Sequence, residues 1–388
     1  MGIARKARPT YSAQVTEEAT APLPTRIAHG LAALFRPGPR LVDEAECMLS
    51  VLLAILLAHL IGARNVSWAA FSGYMVMRGH VADSLLRGVL RIIGTGAGAA
   101  LALLLVPDVR FSLPVATLLS ALVGGVALYR ALTSRRAYAW LFVGLTFEMI
   151  LLDTLEHPEH AVQSVAMTRM LEVGAGTLAC VVVSSFSAFT ARQRWPAARM
   201  PQAHGVVWHA HAARHAAQAT TALALLPPLS RIFGLPELAQ SAITIMAVML
   251  VPLSSLGASG LGPVSRRLLQ RIAGGLAGSA LAALFLFAAH GSAPVLIAGT
   301  MLGVMMGRHI ENGRSGIAYA GTQFTLAILV TLVPDSYANA AIAPALARLT
   351  GILVGMALLE PVLIAWHVVA PAIGPRSHAT EGEQQSTE

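Results

Sequence analysis

Apolar residues fall in twelve blocks along the chain, separated by short polar, glycine-rich or proline-containing stretches. They lie at 45–61, 66–77, 92–106, 113–129, 137–152 and 170–189, then at 206–226, 238–251, 272–289, 294–306, 317–333 and 345–369. A helix needs about 20 residues to cross the hydrocarbon core, so several blocks must borrow flanking residues. The pattern predicts an all-α integral membrane protein with about twelve transmembrane helices. Ten or eleven would follow if the short second and eighth blocks do not cross.

The blocks repeat. RGVLRIIGTGAGAALALLL, starting at Arg87, and RLLQRIAGGLAGSALAALF, starting at Arg267, are identical at ten of nineteen aligned positions. Arg87 and Arg91 align with Arg267 and Arg271, and Gly94 and Gly98 with Gly274 and Gly278. A basic stretch leads into Ala-Tyr-Ala at 137–139 and again at 318–320. Arg169 opens the sixth block as Arg348 opens the twelfth, each with a glycine seven residues on, Gly176 and Gly355. Two related six-helix units enclosing a path are a transporter architecture.

Charge tests the count. With the amino terminus inside and sides alternating at each span, 22 of the 27 basic residues fall inside, as the positive-inside rule requires. An even number of spans per unit makes the repeats parallel and puts both termini in the cytosol. The expected organisation is a cytosolic tail at 1–40 with a short amphipathic piece near 27–35, a first unit at 41–190 and a linker at 191–205. A second unit follows at 206–371, then a cytosolic tail at 372–388. The basic start lacks an apolar core behind it and does not read as a secretory signal.

Composition agrees: 55% of residues are hydrophobic and 12% charged, with mean hydropathy +0.66, against about 25% charged in soluble domains. The net charge of +8 is scattered between apolar blocks rather than gathered in a stripe with aromatics, which argues against nucleic acid. Cys47 and Cys180 sit in apolar blocks without metal-type spacing. There is no GxxxxGK[ST] phosphate loop and no hydrolytic or redox motif, so the reading is of a non-enzyme without cofactor or metal.

A tryptophan-led short block (Ser67-Trp68-Ala69), the RxxxRxxGTxxG helix from Arg87, a helix with Tyr138, Thr146 and Phe147, and an Arg-led last helix together resemble the fusaric acid resistance and aromatic acid exporter superfamily. The resemblance spans roughly 45–371. It implies an inner-membrane protein exporting aromatic or related organic acids, a small organic anion as substrate, and partnership with a periplasmic adaptor and an outer-membrane channel. The chain departs from longer members in its short linker and tail, and Gln240 stands where the first unit has Trp68. A passive anion channel and a non-transporting scaffold stay open as alternatives, as does a homo-oligomer.

Several residues could carry chemistry. Paired short or interrupted spans point to a transporter's site, because unwound backbone is tolerated only where it lines a cavity. Trp68 and Tyr74 on the second block, and Gln240 and Thr244 on the eighth, are therefore pathway candidates, unless these are simply short, shielded spans. Arg169 and Arg348 suit carboxylate recognition through the guanidinium fork. The alternatives are snorkelling and a local pair, Arg169 with Glu172. Glu148, about 16 Å from the cytosolic end of its block, and Glu172 are proton-coupling candidates, the structural alternative being a Glu148–Arg169 ion pair. The GxxxG glycines Gly94, Gly98, Gly274, Gly278, Gly351 and Gly355 read as helix packing. His204, His209, His211 and His215 read as a polar collar rather than a metal site, and His59 as a hydrogen-bonded residue.

Overall fold

The computed structural model describes residues 37–109, 112–201, 205–206, 208–256, 261–313, 316–337 and 340–369. The expectations for the piece at 27–35, for His204 and for the tail at 372–388 lie outside the described residues. Regular structure among those described is entirely helical. The first set comprises α1 (Pro39–Leu60), α2 (Val66–Val76), α3 (Val81–Val109), α4 (Leu113–Thr133), α5 (Ala137–Glu156) and α6 (Val162–Ala188). The second set comprises α7 (Ala210–Phe233), α8 (Leu238–Met249), α9 (Leu261–Ala289), α10 (Ala293–Glu311), α11 (Ala318–Leu332) and α12 (Ala343–Val369). A single turn, Ala191–Arg194, lies between the sets.

Local chemistry sets the boundaries. Proline, which has no N–H to lose there, occupies the first turns of α1, α4 and α10. The Nδ1 of His209 caps α7 by accepting the Ala212 N–H at 3.2 Å. Gly234, at φ 61°, ends the same helix in the left-handed conformation that favours glycine. One irregularity has no simple sequence signature: Ser120–Gly124 in the middle of α4 is a π-helical turn.

Seven helices are long and apolar enough to cross a membrane: α3, α4, α5, α6, α9, α10 and α12. Apolar α8 and α11 are shorter, at 12 and 15 residues. The 11 residues of α2 rise only about 16 Å. Both α1 and α7 are long, yet α1 carries Asp43, Glu44 and Glu46 near its start, and α7 buries His215 and Gln218. The short second and eighth blocks end in irregular backbone: non-helical at 77–80 after α2, and a 3-10 turn, Leu253–Ser255, soon after α8. The surface is apolar where helices face outward, with Leu104, Phe186, Leu284 and Phe287 exposed, while Arg91, Arg271 and Arg308 are inside. That inversion suits a lipid surround.

Close backbone approach positions the helices. A Cβ on Gly94 would run into the Ala139 carbonyl, and one on Gly98 would meet that of Val143 at 2.5 Å, which sets α3 directly on α5. Gly274 and Gly278 stand in the same relation to the carbonyls of Ala320 and Phe324, setting α9 on α11. On α6, Gly176 abuts the Ala69 carbonyl of α2; on α12, Gly355 lies 2.7 Å (as a built Cβ) from the Ser241 carbonyl of α8, and Gly351 packs on Gln240. Where apolar contact gives no driving force between helices, such approach maximises dispersion. The two sets meet through α4 with α7, α5 with α8, α1 with α10 and α2 with α11.

Candidate functional site

A cavity of about 470 Å³ opens between α2, the start of α8, the end of α11 and the start of α12, a volume within the range of small-molecule sites. Trp68, Phe71, Gln240 and Arg348 line it, with Asn65 and Asp335 among the remaining polar groups. Three of the six pathway candidates, Trp68, Gln240 and Arg348, thus share one space contributed by both sets. The other three lie elsewhere. The Thr244 hydroxyl donates along its own helix to the Gln240 carbonyl at 2.9 Å. Tyr74 points the opposite way, its hydroxyl donating to Glu311 at 2.5 Å.

Arg169 is engaged locally. Its Nη1 donates to Glu172 Oε2 at 2.9 Å, and its guanidinium lies 4.6 Å from the centroid of the Trp68 ring. Asn65 Nδ2 donates to the other oxygen of Glu172 at 3.0 Å. Glu172 is therefore satisfied by a cation and an amide, while Arg348 has no carboxylate within ion-pair distance among the described residues. Gly351 occupies the turn of α12 where α6 has Glu172.

Glu148 is not paired with Arg169. Ser120, in the π-helical turn of α4, donates to its Oε2 at 2.8 Å, and the Leu223 carbonyl of α7 lies 3.4 Å from the same hydroxyl. Oε1 has no hydrogen-bond partner among the described residues. The pairing expectation fails because helix rotation turns Glu148 toward α4 and α7, on the side away from the Arg169–Glu172 pair.

Sequence reasoning misses two buried arginines. Both Arg91 and Arg271 fall among the inside charges of the topology count, but each lies ten residues, about 15 Å, along its helix and is only 1% exposed. Arg91 donates to Tyr138 Oη (3.1 Å) and Ser72 Oγ (2.9 Å) and stacks on Phe142. Arg271 donates to Tyr319 Oη (3.2 Å) and Gln323 Oε1 (3.1 Å). The available signal was their spacing, which sets them one turn inward of Arg87 and Arg267.

A buried ionic cluster was also missed. Arg308 of α10 donates to Asp43 Oδ2 (2.6 Å) and Oδ1 (3.2 Å) of α1 and lies 3.2 Å from Glu311. Arg192 binds Glu46 and lies 3.6 Å from Asp43, and His309 Nδ1 donates to Glu44 at 2.7 Å. At the matching place in α7, the Nε2–H of His215 donates to the Met249 carbonyl at 2.8 Å. His59 rests near the Tyr337 ring. Among the described residues no group of three His, Cys, Asp or Glu side chains is placed to hold a metal.

No curated protein and no solved structure matches the chain. The sequence model of the fusaric acid resistance protein family matches residues 46–229, which takes in nearly all of the first set and most of α7. The resemblance read from Trp68, the Arg87 helix and the Tyr138 helix is borne out over that stretch. With its long apolar helices and buried charge, the chain is a multi-pass membrane protein that carries the fusaric acid resistance protein family sequence over residues 46–229.

Proposed function

We propose that the chain is a secondary transporter of the inner membrane that exports small aromatic organic acids. The observation that carries this reading is the cavity shared by both sets, in which aromatic Trp68 and Phe71 face the amide of Gln240 and the cation of Arg348. Aromatic walls with one fixed cation match the two ends of an aromatic carboxylate. Matched packing supports the parallel six-plus-six arrangement: α3 on α5 as α9 on α11, and α6 on α2 as α12 on α8. Each contact between the sets also has its counterpart, α4–α7 with α10–α1 and α5–α8 with α11–α2. Parallel units of that kind can rock about a shared path.

Two measurements test this. Proteoliposomes loaded with benzoate should release it faster when a proton gradient is imposed. Release indifferent to the gradient would make the protein a passive channel, and no release would remove transport altogether. Reporter fusions at Arg135 and Thr190 should give cytosolic signals, and those at Glu156 and Ser336 periplasmic ones. A periplasmic signal at Arg135 or Thr190 would break the parallel topology.

A further inference from the structure

The two sets differ at the place where they should match. In the first, the arginine at the start of α6 has a carboxylate one turn on, so Arg169 and Glu172 neutralise each other inside the bundle. In the second, Arg348 and Arg271 both donate to the same atom, Gln323 Oε1, at 3.2 and 3.1 Å. Arg348 is 6% exposed and Arg271 1%. Gln323 Oε1 is a neutral acceptor, so it carries no charge to balance either cation. The Nε of Arg348 and the Nε and Nη2 of Arg271 have no hydrogen-bond partner among the described residues, nor does Nε2 of neighbouring Gln240. A third cation, Arg267, lies 4.4 Å from the centroid of the Tyr319 ring that Arg271 contacts. Asp335 and Glu237 line the same cavity but pair with neither arginine: Asp335 accepts the Val66 N–H at 2.8 Å.

A surplus of buried donors around uncompensated charge is costly unless an anion completes it. The unpartnered nitrogens are buried, yet another part of the Arg348 side chain forms the cavity wall, so a ligand arriving there comes up against the cation. We propose that Arg348, reinforced by Arg271 through Gln323, is the carboxylate-binding point of this cavity. A ligand carboxylate supplies beside Arg348 the negative charge that Glu172 supplies beside Arg169. One ligand binds per chain, because the first set supplies its own carboxylate. The ring of the acid lies toward Trp68 and Phe71. The choice of an aromatic acid rests on the transport reading above; the charge argument does not.

The test is calorimetry and thermal unfolding of the full chain in detergent, with benzoate, benzamide and chloride as probes. Benzoate should bind with a stoichiometry of one and raise the unfolding temperature, while benzamide and equimolar chloride should not. Gln323→Glu places a carboxylate between the two arginines with almost no change of shape. It should raise the unfolding temperature without ligand and abolish the benzoate effect. Arg348→Lys keeps the charge but loses the fork, and should weaken benzoate about tenfold or more. Undiminished benzoate binding in either variant would overturn the site, as would a wild-type chain that benzoate does not stabilise. Equal stabilisation by chloride would overturn carboxylate selectivity, and a stoichiometry of two would overturn the asymmetry. Gradient-driven flux is scored separately: benzoate binding without flux leaves the site standing and removes the transport reading.

Discussion

Arg308→Met should lower stability by about 3–5 kcal/mol, the cost of leaving buried partners of an ion pair uncompensated. Arg308 is the hub of the contact between α1 and α10. It holds both oxygens of Asp43, approaches Glu311, and donates to the Met77 carbonyl at 3.3 Å where α2 ends. The methionine variant keeps most of the apolar stem, so lost packing contributes little. Two carboxylates remain, with Asn312 and Arg192 near Asp43 and the Tyr74 hydroxyl on Glu311 as their remaining support. The measurement is unfolding in detergent, monitored by tryptophan fluorescence. Asp43→Asn added to Arg308→Met should recover part of the loss, because it removes one of the stranded charges. A single variant as stable as the wild type would mean that the cluster does not hold the two sets together.

Helix positions were legible in the sequence because lipid and tight packing both demand apolar side chains over whole segments. The block at 137–152 is α5, Ala137–Glu156, and the block at 238–251 is α8, Leu238–Met249. Packing glycines were legible for a related reason: Gly94 and Gly98 leave a four-residue imprint wherever two backbones touch. Rotation about the helix axis leaves no such imprint in a helix that is apolar nearly all round. That is why the sequence leaves a Glu148–Arg169 pair open, whereas in the fold Glu148 meets Ser120. Pairs such as Asp43 and Arg308, 265 residues apart, depend on which helices become neighbours, and no local pattern encodes that. The cavity was half legible: the paired short helices point to Trp68 and Gln240, and the matched arginines of the sixth and twelfth blocks point to Arg348. Arg271 was missed because an arginine near a block's edge reads as an interfacial charge.

With the proposed gradient-driven export of benzoate, Glu148→Gln should leave a folded protein that has lost the gradient-driven efflux while retaining benzoate exchange between the two sides of a vesicle. The carboxyl sits where α4, α5 and α7 converge, so it belongs to the contact between the sets rather than to the cavity wall. Gly124 of α4 is close enough that a Cβ there would come within 2.8 Å of Glu148 Oε1, and Leu223 of α7 crowds the same spot. No cation faces the carboxyl among the described residues, so ionising it places an uncompensated charge inside the bundle. On insertion scales such a charge costs about 2.5–3.5 kcal/mol. A rocking of the first set against the second that opened this junction to water would remove that cost and release the proton. Closing it would favour taking the proton back. Ser120 is presented by a π-helical turn, an irregularity that is frequent at functional sites. Glutamine preserves shape and the acceptor for Ser120 but cannot carry a proton. Exchange of benzoate for benzoate needs no net proton movement, so it should continue where net, gradient-driven release falls to the rate of empty vesicles. If Glu148 were only a packing residue, the same variant would change the unfolding temperature and leave both fluxes alike. Wild-type gradient-driven efflux in a stable Glu148→Gln protein would take this carboxyl out of the coupling mechanism.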